Sequence, residues 1–439
     1  MSDPVSPRVH PTERYRRNLG AESPRRQTGT RYIPRTVASV TGQDRQHARA
    51  VIRCHATFYT AQGGPMPVPD PDQRWNMTTS ARDLDVLTAD LTRWLASKVD
   101  ADMPPEITSL TKPAGGMSNT TLLFDAEWTA NGKPASGAFV ARIAPEDSSF
   151  PVFEKYDLAT QYAVISGVAV ATEVPLPELC WLENDETVLG APFFVMRRTN
   201  GRVPIDNPPY VFHGWIFDAT VAERAAMTRN IVEVIGAVHA IVDPDEKFPM
   251  LAGEGSALRR HFEANRAWYQ WALADGGIRI PLLERAFDHL EANWPAETGE
   301  NVLNWGDARP GNIIFDGFDP VAVLDWEMAA IGPRELDIAW LIHFHRFFQD
   351  IATRFGQPGL PDYLRRSEVE KLYRECTGHT LLDMDWHLTY AALFNGICMA
   401  RIKRRAIHFG EDTAPDDPDD YVLHRPMLEA LLDNTYDWD

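Results

Sequence analysis

Segment 301–341, NVLNWGDARPGNIIFDGFDPVAVLDWEMAAIGPRELDIAWL, limits what this chain can build more than any other stretch. It sets Asp307 and Asn312 five positions apart in a polar loop that contains Gly and Pro. A short apolar run (313–315), a turn (316–320) and a second apolar run (321–324) then lead to Asp325. Two such runs joined by a Gly-containing turn read as a hairpin, which returns the second carboxylate to the side of the first. Phosphoryl transfer needs this set of groups. One carboxylate orients and deprotonates a hydroxyl, while an amide and a second carboxylate hold magnesium against the phosphates of a nucleotide. Taken singly, each residue is an ordinary loop or strand-end group, and only their common register makes a site.

Bulk properties narrow the alternatives. The composition, 44% hydrophobic and 24% charged with 13 Trp and 20 Phe, is that of a globular chain. No apolar run approaches the roughly 20 residues that cross a bilayer, and the first residues lack the apolar core of a signal peptide, so the expectation is a cytoplasmic protein without a membrane span. The four cysteines are scattered without a CxxC pair, which gives no metal or redox signature. Residues 1–53 carry 11 Arg, no Lys and 4 acidic residues, a balance of +7 within a chain of net charge −19. The strongly acidic remainder argues against nucleic acid as a partner, because neutralising phosphates takes a basic face.

Pattern along the chain divides it into three. Residues 1–79, rich in Arg and Pro, show almost no apolar periodicity and read as a disordered or peripheral segment. From Ser80, a candidate N-cap, Leu84, Leu87, Leu91, Trp94 and Leu95 recur at helical spacing. Strands at 120–128 and 138–144 flank an Asn131-Gly132 turn, a strong hairpin signal. A helix at 151–166 and strands at 179–182 and 187–196 complete a small sheet-based lobe over 80–198. Helical patterns then dominate 199–439, interrupted by the hairpin, and predict a larger helical lobe with a cleft between the two.

WGDARPGN followed by LDWE resembles the HGDxxxxN loop and the following Asp of the aminoglycoside phosphotransferase-like (choline kinase) family, distant cousins of protein kinases. Within it the chain is most similar to the kinase-like domain associated with acyl-CoA dehydrogenases. The resemblance covers roughly 80–435 and implies an α+β, two-lobed protein-kinase-like fold, with a small antiparallel-sheet N-lobe that binds nucleotide and a larger helical C-lobe that carries catalysis and the acceptor. It implies that Asp307 is the catalytic carboxylate and that Asn312 and Asp325 are the magnesium ligands. Asp337, in PRELDIAWL, should receive backbone N–H groups of the catalytic loop. The PAGGMSNTT segment would face the nucleotide phosphates through Gly115, Gly116, Ser118 and Asn119. Arg142, in AFVARIA, stands where kinases place a phosphate-pairing cation, and Met196 would line the adenine side of the hinge. The implied co-substrate is ATP or GTP with Mg2+, and the implied partners are that nucleotide and a small-molecule hydroxyl acceptor, more a metabolite than an antibiotic.

Two positions depart from the family pattern. The usual His of the loop is Trp305, which fills space but cannot accept a hydrogen bond. The helix position expected to offer Arg142 a Glu is Gln161, and Glu154 has the wrong spacing to replace it. These departures favour the alternative, a nucleotide-binding pseudokinase serving as a partner-binding module. His239 reads as a satisfied core histidine, and the acidic run 411–420, broken by Pro415 and Pro418, as a solvated loop.

Overall fold

The computed structural model describes residues 83–113 and 119–439. Its first helix, α1 (Leu84–Leu95), is capped by the side chain of Asp83, which accepts from the N–H groups of Asp85 and Val86. The expected cap, Ser80, lies outside the described residues. Leu87, Leu91, Trp94 and Leu95 are buried, as their spacing on one helix face requires.

Five antiparallel strands make the small lobe: β1 (Glu106–Thr111), β2 (Thr120–Ala130), β3 (Lys133–Ile143), β4 (Leu179–Glu183) and β5 (Phe193–Arg197). Their order in the sheet is β1-β2-β3-β5-β4. Asn131 and Gly132, both at positive φ, form the tight β2–β3 turn that the sequence predicts. Along β2, Thr120, Leu122, Phe124 and Ala126 alternate into the core.

Two expectations in this lobe need correction. The helix expected at 151–166 is α2 (Leu158–Ala171), because Asp157 caps it through the N–H of Thr160. Before that cap the N–H groups of Val152 and Phe153 donate to the Tyr156 hydroxyl instead of entering a helix. The strand expected at 187–196 begins only at Phe193. Asp185 caps a short helix, α3 (Glu186–Leu189), and Gly190 ends it at φ 76°.

The larger lobe holds α4 (Val221–His239), α5 (Pro244–Lys247), α6 (Ala257–Ala274), α7 (Pro281–Ala292), α8 (Glu335–Arg354), α9 (Arg366–Thr377), α10 (Met384–His408) and α11 (Arg425–Leu432). Among the described residues no helix is long and apolar enough to cross a membrane. The acidic run is largely exposed, as expected of a solvated segment, and several of its carboxylates are also bonded to this lobe. Asp412 pairs with Lys403 at 2.9 Å, Asp417 and Asp420 both pair with Arg425, and Asp419 accepts from the N–H of Leu282 at the start of α7.

Four short strands position the chemistry. β7 (Ile313–Asp316) and β8 (Asp319–Val323) form the expected hairpin, and Ile313 pairs with Val323. The Leu324 N–H reaches the Asn312 carbonyl at 2.8 Å, which fixes the open end of the hairpin. β6 (Asn301–Asn304) and β9 (Ala330–Pro333) pair antiparallel, with Asn304 opposite Ala330. That pair sets the loop starting at Trp305 beside the first turn of α8, where Asp337 is fully buried. Asp337 Oδ2 accepts from the Trp305 N–H at 2.7 Å, and Oδ1 accepts from the Gly306 N–H at 2.8 Å. His239 Nε2 lies 3.1 Å from Oδ2, and its Nδ1 lies 2.8 Å from the Tyr373 hydroxyl. A carboxylate only accepts, so Nε2 carries the proton and Nδ1 accepts from Tyr373. His239 is therefore satisfied, and it also links α4 and α9 to the loop that carries Asp307.

Removing the Asp337 carboxylate orphans two backbone donors and one imidazole, at about 1–3 kcal/mol per buried group. Asp337→Ala should thus cost about 3 kcal/mol or more in urea unfolding, and a loss under about 1 kcal/mol would contradict its role as tether. A second expectation concerns acid. Burial lowers His261, His345 and His424 from 6.5 to about 4. Between these values the unfolded chain binds the extra protons, so stability is present above pH 6.5 and drains as pH falls toward 4. The melting temperature should drop between pH 7.5 and pH 5, and an unchanged value would contradict the buried, neutral assignment.

Candidate active site

Gly306 opens the loop at φ 94°, and a Cβ there would collide with the Met328 carbonyl, so the position before Asp307 admits only glycine. Asp307 is held from three sides. Trp340 Nε1 donates to Oδ1 at 2.7 Å, Asn312 Nδ2 donates to Oδ2 at 2.6 Å, and Arg309 Nε donates to both oxygens at 2.9 and 3.0 Å. Asn312 Nδ2 also donates to the Asp307 carbonyl at 3.1 Å. With its amide nitrogen committed to Asp307, Asn312 presents its carbonyl oxygen elsewhere.

Asp325 follows β8 at φ 60°, a left-handed conformation that Asp tolerates better than most residues. It turns back toward the small lobe, where its Oδ1 accepts from Arg142 Nη2 at 2.8 Å. Burial works against the Arg142 charge, but the Asp325 and Glu327 carboxylates outweigh it and hold the guanidinium pKa above its usual value. The sequence offers Arg142 no well-spaced helix Glu, and its carboxylate partner comes from elsewhere. Gln161 lies buried on the core face of α2 and Glu154 is exposed, while the carboxylate beside Arg142 comes from the hairpin. Asn119 Nδ2 donates to Glu327 Oε2 at 2.7 Å, a second link between the lobes.

Trp305, in the place of the usual His, is fully buried and donates from Nε1 to the Leu324 carbonyl at 2.8 Å. It thus braces the loop against the strand end that carries Asp325, without the acceptor that a His would offer. Met196 is buried in β5, paired in register with Val140 and Leu179. Gly115, Gly116 and Ser118 lie outside the described residues.

The loop and the hairpin end therefore bring Asp307, Asn312 and Asp325 to one end of the β7–β8 hairpin, where Arg142 of β3 meets Asp325 and Asn119, just before β2, meets Glu327. Two buried polar atoms of these side chains, Asn119 Oδ1 and Arg142 Nε, have no hydrogen-bond partner among the described residues. Such atoms are costly unless something supplies a partner.

Sequence reasoning missed three residues. Trp340 stands three positions after Asp337 in α8, so the helical repeat could have placed it near the loop. Arg309 was visible in GDARPGN but carried no sign of its partners. Asp206, which pairs with Arg309, comes from an irregular segment with no pattern to reveal it. On the far side of Asp307, α10 contributes Cys398, whose thiol is pushed up to about 12 by burial and then by the charge of Asp307. A small cavity below Gly306 is lined by Trp340, His261, Tyr390 and Phe394.

Comparison with known proteins accords with this geometry. Acyl-CoA dehydrogenase family member 11 from Rattus norvegicus is 28% identical over 243 residues, which cover 54% of this chain and 28% of the relative. The Homo sapiens protein of the same name is 28% identical over 263 residues, 58% of this chain and 31% of the relative. The chain thus spans under a third of the length of these relatives. A candidate aminoglycoside phosphotransferase from Ralstonia eutropha, of known structure, superposes with a TM-score of 0.55 at 23% identity, covering 79% of this chain and 98% of that one. At this identity the likeness establishes the kinase-like fold alone. The profile of the phosphotransferase enzyme family (APH) matches residues 109–373, more than half of the sequence, and the chain is a member of that family.

Proposed function

We propose that this chain transfers the γ-phosphoryl group of ATP or GTP to a hydroxyl of a small-molecule metabolite. The observation that carries the reading is the convergence of Asp307, Asn312 and Asp325 at one end of the β7–β8 hairpin, across the cleft from Arg142. In this reading residues 80–198 bind the nucleotide and 199–439 carry the catalytic groups and the acceptor, with 1–79 peripheral.

Asn312 and Asp325 fit a magnesium ion. Both offer hard oxygen donors, and magnesium takes only one or two protein ligands beside phosphates and water. When bound, the ion would neutralise charge on the phosphate oxygens. Asp307 accepts a hydrogen bond from the acceptor hydroxyl, aligns its oxygen with the γ-phosphorus and takes its proton as the new bond forms, while the γ-phosphorus bond to the β–γ bridging oxygen breaks and the nucleoside diphosphate leaves with the electron pair. Asp337 keeps that carboxylate in place by holding the loop backbone on both sides of the Trp305–Gly306 peptide. Arg142, now paired with Asp325, would turn its fork to phosphate oxygens beside Asn119 and the Gly115, Gly116 and Ser118 loop, with Met196 on the adenine side. Positioning of this kind supplies most of the rate in phosphoryl transfer.

Two observations support a metabolite over a polycationic antibiotic. The acidic run 411–420 has its Asp412, Asp417 and Asp420 carboxylates paired with Lys403 and Arg425, leaving them poorly suited to bind a cationic acceptor. Beside Asp307 stands a cation, Arg309, and the neighbouring surface of α8 and α10 is aromatic. A hydroxylated acyl compound suits such a pocket, and the names of the dehydrogenase relatives are in keeping with it. The brace that Trp305 gives to Leu324 weighs against the pseudokinase alternative, since the loop keeps its support without the usual His.

ATP consumption across a panel of hydroxylated acyl metabolites and aminoglycosides tests the acceptor class. Asp307→Ala should lower acceptor-stimulated turnover by about 10²–10⁴-fold while leaving the thermal shift produced by magnesium-ATP in place. Equal turnover in that variant would remove the mechanism.

A further inference from the structure

The Asp307 carboxylate has little accepting capacity left. A carboxylate offers about four lone-pair sites. Trp340 and Arg309 occupy Oδ1, while Asn312 and the same Arg309 Nε occupy Oδ2. A nucleophile's hydroxyl must therefore displace one of these donors.

Trp340 is fixed, being buried in α8 with its ring 5.1 Å from that of Phe394. Asn312 is tied to the loop by its second hydrogen bond, to the Asp307 carbonyl. Arg309 alone has another anion within reach. Its Nη1 already meets Asp206 Oδ2, and Asp206 Oδ1 is buried without a hydrogen-bond partner among the described residues. The guanidinium lies over the ring of Phe344, 4.8 Å from its centroid, a face across which a planar cation can slide. Gly311 keeps the space clear, since a Cβ there would lie 2.5 Å from both Arg309 Nη1 and Asp206 Oδ2.

We propose that Arg309 is a specificity-determining residue that covers Asp307 until a hydroxyl acceptor replaces it, with Asp206 receiving the displaced guanidinium. The proposal rests on the reading of Asp307 as the group that orients the nucleophile. An acceptor brings binding energy from the rest of its structure to the exchange, and water brings none. The cover therefore separates transfer from hydrolysis. In the suppressed reaction a water oxygen bonds to the γ-phosphorus as the bond to the β–γ bridging oxygen breaks. The electron pair leaves with ADP, and the water proton passes to Asp307 and on to solvent.

The test is phosphate release by the full chain with magnesium-ATP and no acceptor, normalised to the fraction that binds magnesium-ATP in a thermal-shift assay. Arg309→Met should release phosphate about tenfold faster than the wild type, the equivalent of 1.36 kcal/mol in the barrier. Arg309→Met combined with Asp307→Asn should fall back to the wild-type rate or below it. Where Arg309→Met does not fold, Arg309→Lys replaces it; it keeps the charge, loses the planar fork and should still raise release several-fold. A variant that binds magnesium-ATP but hydrolyses it no faster than the wild type overturns the cover and leaves the proposed function standing. Failure of the wild type to bind magnesium-ATP overturns both.

Discussion

One buried carboxylate carries the organisation of the site. Asp337, with no exposed surface, accepts two backbone N–H groups of the loop that leads to Asp307 and an imidazole N–H from α4. A charge this deep in a protein is tolerated only when its oxygens are fully used. Its three partners come from two separate parts of the chain, the loop after β6 and the end of α4, so satisfying Asp337 draws β6, α4 and α8 together. Asp307 follows directly on the two tethered N–H groups, so that meeting fixes where its loop begins.

The second half of the site depends on the first through the hairpin. Hydrogen bonding between Leu324 and Asn312 closes its open end, so the amide and the carboxylate that follows β8 come out of the sheet together. Trp305 adds a brace from the loop to Leu324, joining the two arms that carry the polar groups. The small lobe meets this assembly through Arg142 and Asn119, which pair with Asp325 and Glu327. These contacts are ionic or polar and partly exposed, and such groups can exchange one partner for another at little net cost, whereas a packed apolar seam cannot.

How much of this was legible in the sequence depended on the range of the interaction. The β2–β3 turn, the β7–β8 hairpin, α1 and the long helices declare themselves through local periodicity and turn residues. Asp307, Asn312 and Asp325 could be named because their spacing is short and rigid. Helix α2 began later than expected because a cap at Asp157 outweighed the apolar pattern ahead of it. β6 and β9, four residues each, are too short to show a period, and only their mutual pairing makes them strands. The partner of Arg142 was not legible, because the carboxylate comes from a position 183 residues away. Asp206 and Trp340 share that character: each matters through a contact that exists only once the chain has folded.

The claim most exposed to test is that Asn312 and Asp325 share one divalent ion beside a nucleotide. Electron paramagnetic resonance of Mn2+, substituted for Mg2+ and titrated with a non-hydrolysable ATP analogue, reads that ion directly. The account expects nucleotide-dependent Mn2+ binding in the wild type and its loss in both Asp325→Ala and Asn312→Ala. Undiminished Mn2+ affinity in the Asp325→Ala variant would contradict it.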